Sequence, residues 1–507
     1  MFQDEIVEEI HRIREEYSRS FNHDLKAIFA DLQKQQAESG REVVTLSRKH
    51  GLAKRWGGRA RDIDGHKRRV IDVDIKTLGM FASLYDPENT PATQARLPTL
   101  HSQQLISVLE KFIAQPRRLR DLEGEYFATV MFDETKAQKN QTIRRDTQFP
   151  QGPEQLILSG PHFFVANPLN KTPRKICKEK GHYDVIDLTQ IPDNYLPRTN
   201  YLPDCSPGEY LERTPRVPWD NTKPVTDFYR VVNREMLSQS GERTFVGVII
   251  PKQVAHVNTC ISITFKETSQ AIDFLGMGLS IVIDFFLKTT GMSHCSQNIL
   301  KLFPLLQDNF KHKQALRVRS LCLNSLTTYY SELWEENWED DYQQQNWSKP
   351  EDPQLTNNFF GQLTPQWQRY NALRTDYDRR QAFIEIDVLV AMALGLTLDE
   401  LITIYRVQFS VMQQYEKETY YDQRGRIVFT TNKGLVGVGL PRKGDKKQKL
   451  TGWEEVKTMK EGTVTLKVKD STLGEPTSRQ ITYEAPFTKP DRVEDYRTAW
   501  NYFQNKS

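Results

Sequence analysis

The longest apolar run in the chain, Ala271 to Leu287, carries Asp273 and Asp284 within it. A charge near the centre of a bilayer span costs several kcal/mol, so the two acids point this run toward a protein interior and away from a membrane. The rest of the chain must cover it. With 507 residues, 38% hydrophobic and 27% charged, and a mean hydropathy of -0.63, the chain can bury a large core. It has the profile of a polar-surfaced globular protein of two to four domains. No membrane association is expected.

The five cysteines (Cys177, Cys205, Cys260, Cys295 and Cys322) are odd in number, widely spaced and free of any CxxC pair. A disulfide framework is not expected, and a reduced, cytoplasmic compartment fits. Met1 is followed by acidic and polar residues, where a secretion signal would place basic residues and then an apolar run. The formal charge of +3 is nearly neutral for this length, so affinity for nucleic acid would have to come from local clusters.

The expected fold class is mixed α+β and multi-domain. Residues 1–40 read as a helical hairpin, with Ile6, Ile10, Ile13 and Tyr17 at helical spacing and Leu25, Ile28 and Leu32 repeating the pattern before Gly40. From Arg41 to Arg69 ten Lys or Arg stand against three acids, with four glycines between them, a basic linker. Residues 70–330 form the next expected module, rich in prolines and turns up to Pro218. A helix is predicted from Val225 through Phe228, Val231, Val232 and Met236, then a strand over Thr244 to Ile250 and the apolar helix of 271–287. An acidic, Trp- and Gln-rich loop between Glu332 and Asp352 marks a boundary before a C-terminal region, 353–507. That region holds a helix from Asp378 to Leu394 ending at Gly395, a second opened by the capping box Thr397 to Glu400, and strands at Arg426–Thr430, Thr463–Val468 and Gln480–Tyr483.

Three catalytic patterns are present only in fragments. An adenine-N6 methyltransferase needs a glycine-rich turn for S-adenosylmethionine and an (N/D/S)PP(Y/F) loop to hold the flipped base. Asn167-Pro168-Leu169-Asn170 lacks the second proline and the aromatic. Phe274-Leu275-Gly276-Met277-Gly278 formally reads FxGxG but lies in a helical pattern, where small residues allow close packing. Asp74-Ile75-Lys76 with Asp62 or Asp64 has the letters of a PD-(D/E)xK nuclease. His256, Cys260, His294 and Cys295 could in principle hold zinc, although ordinary core and surface roles are the expected ones. Catalytic, cofactor-binding and metal-ligating residues are therefore not assigned.

Basic and amide-bearing segments remain, concentrated in the proline-ordered module: Arg117 to Arg120, Arg144-Arg145, Lys171 to Lys175, Arg198 to Tyr201, Lys223, and Arg230 with Arg234. Cations suit phosphate contacts, and Arg and Asn can pair with base edges in a bidentate way. The expected DNA-binding residues are Arg144, Arg145, Asn167, Lys171, Arg174, Arg198, Asn200, Arg230 and Arg234.

Several of these segments also resemble one known family. Ile75-Lys76-Thr77-Leu78-Gly79-Met80-Phe81, Glu125 to Thr129, Ser159-Gly160-Pro161-His162-Phe163, Ala166 to Arg174, Tyr195 to Tyr201, Tyr421 to Phe429 and the Glu494 to Trp500 tail occur in an order similar to that of the C-terminal portion of adenine-specific type II restriction-modification DNA methyltransferases of phage-defence loci in bacteria. The resemblance covers roughly residues 70 to 505. It implies target recognition: binding double-stranded DNA and positioning an adenine for a methyltransferase-bearing partner chain, which would hold the S-adenosylmethionine. The segments for the cofactor and for NPPY, which should precede residue 70, are replaced by the hairpin and basic linker. The hairpin resembles small bacterial proteins of toxin-antitoxin neighbourhoods. A degenerate stand-alone methyltransferase, a nuclease, or a truncated remnant with an antitoxin-like N-terminus stay open as alternatives.

Overall fold

The computed structural model describes residues 71, 73–86, 89–100, 102–179, 181–445 and 450–506, with isolated positions between Arg19 and Lys34. Apart from those positions the expected hairpin lies outside the described residues, as do the basic linker and the candidate acids Asp62 and Asp64. By packing, the chain divides into Met1–Lys67 and Arg68–Ser507. The elements of the second unit are mixed α+β.

That unit opens with α1 (Ile75–Tyr85), whose N-cap Asp74 accepts hydrogen bonds at 2.7 Å from both the amide and the hydroxyl of Thr77. The carboxylate with the spacing of a nuclease acid is thus a helix cap. After β1 (Tyr126–Thr129) come the short strands β2 (Ile143–Gln148), β3 (Lys171–Pro173), β4 (Tyr183–Val185) and β5 (Thr199–Pro203), separated by turns. Next are β6 (Arg230–Arg234), β7 (Gly247–Ile250) and β8 (Cys260–Phe265). A four-stranded antiparallel sheet orders them β1-β8-β6-β7, with Val231 opposite Ile249 and Ile263.

The helix expected from Val225 is instead a single 3-10 turn, Val225–Asp227, followed by β6. Phe228, Val231 and Val232 have helical spacing, but β6 lies between two neighbouring strands and is buried on both faces. Its β-branched run satisfies a buried strand equally well.

The apolar run forms α2 (Thr268–Gly278) and α3 (Ile281–Thr289), bent by 73° at the break between them. Both acids are answered inside the protein. Asp273 takes a bidentate grip from Arg317 at 2.6 and 2.7 Å, and Asp284 accepts from the Phe245 and Thr244 amides and from Arg243. Among the described residues no single helix is long and apolar enough to cross a membrane. The glycines of the FxGxG string sit in α2, where a Cβ on Gly276 would come within 2.9 Å of Ser320 Oγ on α4 (Lys313–Asn324) and one on Gly278 within 2.7 Å of the Phe245 ring. They permit close packing and do not form a phosphate turn.

The C-terminal part matches the expectations closely. α5 (Asp376–Ala393) is followed by Gly395, then by α6 (Leu398–Gln408), whose cap Thr397 and Glu400 exchange hydrogen bonds as a capping box. The hairpin of β9 (Thr463–Asp470) and β10 (Thr477–Glu484) leads to α7 (Arg492–Asn505). One core cluster runs from Phe81 to Phe503, and it includes Trp334, Tyr342 and Trp347 from the stretch expected to be a boundary. A small cluster lies under β2 and β5, and another under the β9–β10 hairpin. All five cysteines are free thiols.

Candidate nucleic-acid interface

β2 pairs with β5, and the register slips between Arg145 and Gln148. Strand alternation would turn only one of two adjacent residues outward, yet with the strand at an irregular edge both Arg144 and Arg145 are exposed. Arg144 donates to the Pro203 carbonyl at 2.9 Å and has loose ion pairs to Asp204 and Asp146 at 3.5 and 3.7 Å. Arg145 donates to the Cys177 carbonyl at 3.0 Å and lies 5.9 Å from the Tyr201 ring centre. Among the described residues it has no carboxylate partner at ion-pair distance. Ion pairs of the loose, exposed kind contribute about 1 kcal/mol or less, so these guanidiniums are poorly tied.

The β3–β4 hairpin extends this surface. Arg174 is exposed and paired with Asp184 at 2.9 Å, while Lys175 reaches Glu475 only at 3.9 Å and Lys178 is exposed. Exposed Ile176 stands among them. Lys171, at the start of β3, is half-buried, and desolvation followed by the charge of Arg234 lowers its pKa.

The other expected contacts lie deeper. Arg198 is buried beneath the β9–β10 turn, donating to the Gly474 carbonyl at 2.7 Å with its guanidinium 4.2 Å from the Phe149 ring centre. Asn200 is buried between the Tyr183 hydroxyl at 2.6 Å and the Thr147 hydroxyl at 3.1 Å. Arg230 has no exposed surface; it donates to the Val254 carbonyl and contacts the Met131 sulfur at 2.9 Å. Arg234 holds the carbonyls of Gly160 and Phe163 at 2.7 and 2.6 Å. Contact with a duplex needs an exposed donor; Arg198, Asn200 and Arg230 instead fix loops and strands from within. Of the nine expected residues, Arg144, Arg145 and Arg174 are the exposed ones, and Arg145 and Arg174 both act on the Cys177 thiol.

Beside that surface is a cavity of about 250 Å³. Sequence reasoning named Asn167 on its wall but missed the rest, because the wall is assembled from segments far apart in the chain: 184–189, 374–379, 426–439 and 468–483. The one local signal was the Gly434 to Gly439 string, where Gly439 has φ of 76° and a Cβ would meet the Val428 carbonyl at 2.7 Å. This allows the loop to press against its neighbour. Asp376, the first residue of α5, faces the cavity and accepts from the Ile427 amide at 2.9 Å. Burial, reinforced by the nearby Asp187 carboxylate, pushes its pKa up to about 6.

The arginines around the cavity are already engaged. Arg374 holds the carbonyls of Leu188 and Leu326, Arg379 those of Leu323, Leu373 and Ala166, and Arg426 and Arg479 share Asp187 at 3.3 and 3.0 Å. Asn167 itself closes a local turn, its side-chain oxygen accepting from the Leu169 amide at 3.1 Å. His256 is buried against Ser262 at 2.8 Å, and His294 pairs with Glu235 at 2.8 Å. Among the described residues no group of three or more His, Cys, Asp or Glu could hold a metal ion.

No protein-family model matches the chain, and no curated protein sequence matches it.

Proposed function

We propose that this chain is the sequence-reading part of a restriction-modification adenine-N6 DNA methylation system, working in the bacterial cytoplasm. It binds duplex DNA and presents the target adenine to a methyltransferase domain on another chain, where S-adenosylmethionine is held. The observation that carries this reading is the exposure of Arg144, Arg145 and Arg174 on short strands and turns, with Arg144 and Arg145 only loosely tied. A phosphate can replace such weak partners at little expense, whereas the buried arginines would have to be unpacked first. The ordered resemblance between residues 70 and 505 supplies the class of system.

The test is a titration of duplex DNA with the full chain, alone and with a candidate methyltransferase partner, at several salt concentrations. Binding should weaken linearly on a logarithmic salt scale, by about 0.9 per phosphate contacted, with a residual preference for one sequence. Absence of any sequence preference at physiological salt, with and without the partner, would defeat the reading.

A further inference from the structure

Arg230 carries a charge that the surrounding fold does not answer. It has no exposed surface, and burial lowers its pKa only to about 9, so it is still a guanidinium at neutral pH. A buried charge is costly unless it is paired, yet among the described residues no carboxylate stands at ion-pair distance from it. Arg234, two residues on along the same face of β6, is held by carbonyls alone, and Lys171 beside it has no acid partner among the described residues either. His256 adds no negative charge: burial, then the charge of Arg230, push its pKa down to about 3.

Three buried donors in this region also find no protein acceptor: Arg230 Nε, the Tyr210 hydroxyl and the Thr264 hydroxyl. They are neighbours. Thr264 lies directly opposite Arg230 in the register of β8 on β6, where Cβ atoms are about 5 Å apart. Tyr210, in the short helix Pro207–Arg213, is close enough for its phenol to act on the Arg230 charge. Its ring packs 5.4 Å from that of Phe132, next in the chain to Met131, whose sulfur touches Arg230 at 2.9 Å. A thioether is a weak acceptor on a pliable side chain, so Met131 can yield its place to a stronger one. Water would satisfy the three donors and leave the charge unanswered. Arg230 and Thr264 are fully buried and Tyr210 and Met131 are 8% exposed, an enclosure that excludes a carboxylate-bearing molecule. The group that completes the site is therefore small, negative and a pure acceptor.

We propose that a single halide ion, chloride under physiological conditions, binds between Arg230, Tyr210 and Thr264, in the small core cluster under β2 and β5. It acts from within the fold and does not rest on the DNA-reading function.

The experiment follows thermal unfolding of the full chain in sodium chloride, sodium bromide and sodium gluconate at one fixed ionic strength, with the halide share raised stepwise. A ligand bound only by the folded chain stabilises it in proportion to the logarithm of its concentration once the site is filled, so the melting temperature should climb with halide and stay level in gluconate. Arg230→Met should remove the difference. Because that variant can fail to fold, Tyr210→Phe gives a second reading. It deletes one donor and one unmet buried hydroxyl, so in gluconate it should melt at or above the parent temperature, whereas its halide affinity should fall about ten-fold, the loss expected for a hydrogen bond to a charged group. Anomalous scattering from bromide-soaked crystals should place the ion within hydrogen-bond distance of Arg230. Equal melting in halide and gluconate, a halide effect that both variants retain, or bromide seen at crystal concentration with no effect on melting would overturn the proposal.

Discussion

Around α5 and α7, Arg319, Arg380 and Arg492 are buried against Glu385, Asp495 and Asp387 at 2.5, 2.6 and 3.0 Å, and each contact ties one helix to another element. Along β2 and the β3–β4 turn, Arg144 and Arg174 keep looser or more exposed partners, and Arg145 has only a carbonyl and a ring. The same residue type therefore has opposite roles in the two regions. In the helical region its charge is taken up inside the fold, and in the strand region it stays available to something outside. Arg230 and Arg198 show that position in the sequence does not decide which: both belong to the strand region by number and to the interior by packing.

Substitutions should separate the regions by size and kind of effect. Arg319→Ala leaves Glu385 buried without its cation, and loss of one partner of a buried pair costs about 3–5 kcal/mol; urea unfolding should show it, with no change in DNA sequence preference. Arg230→Met should also act through the fold, lowering stability by about 1–3 kcal/mol, and the salt dependence of DNA binding should stay as in the parent. A reduced salt slope in folded Arg230→Met would move Arg230 to the contact surface and break the comparison.

The next effect is a pH dependence. Asp376 has its pKa raised from 3.8 to about 6 by burial, so the folded chain holds this proton more tightly than the unfolded chain does. Its contribution to stability is complete below pH about 4 and is lost as pH rises through about 6, amounting to roughly 3 kcal/mol. Asp376→Asn should flatten that part of the stability profile between about pH 4 and 6, and an unchanged slope would mean that the carboxyl is solvated. Arg145→Ala is the mildest, about 1 kcal/mol in DNA binding with the salt slope falling by about one and thermal stability unchanged.

The C-terminal helices and strands were legible because their signals are local. Thr397 and Glu400 define a helix start three residues apart, and β9 alternates exposed Thr463, Thr465 and Lys467 with buried Val464 and Leu466. The 225–236 segment was misread because a strand buried on both faces has no period of two to display. The cation-rich module was legible as a cluster but not as an interface, since the burial of Arg230 depends on Val254 and Met131, and that of Arg198 on Gly474, 276 residues away. The cavity was illegible for the same reason: Asn167, Asp187, Asp376 and Arg479 meet only after the fold has closed.

The most direct measurement is selection from a randomised duplex pool by the full chain at physiological salt, followed by sequencing, with Arg145→Ala in parallel. The chain should enrich a short motif, and Arg145→Ala should retain less DNA. An unenriched pool, from the chain alone and from the chain with a candidate methyltransferase, would contradict the proposal that this protein reads DNA sequence.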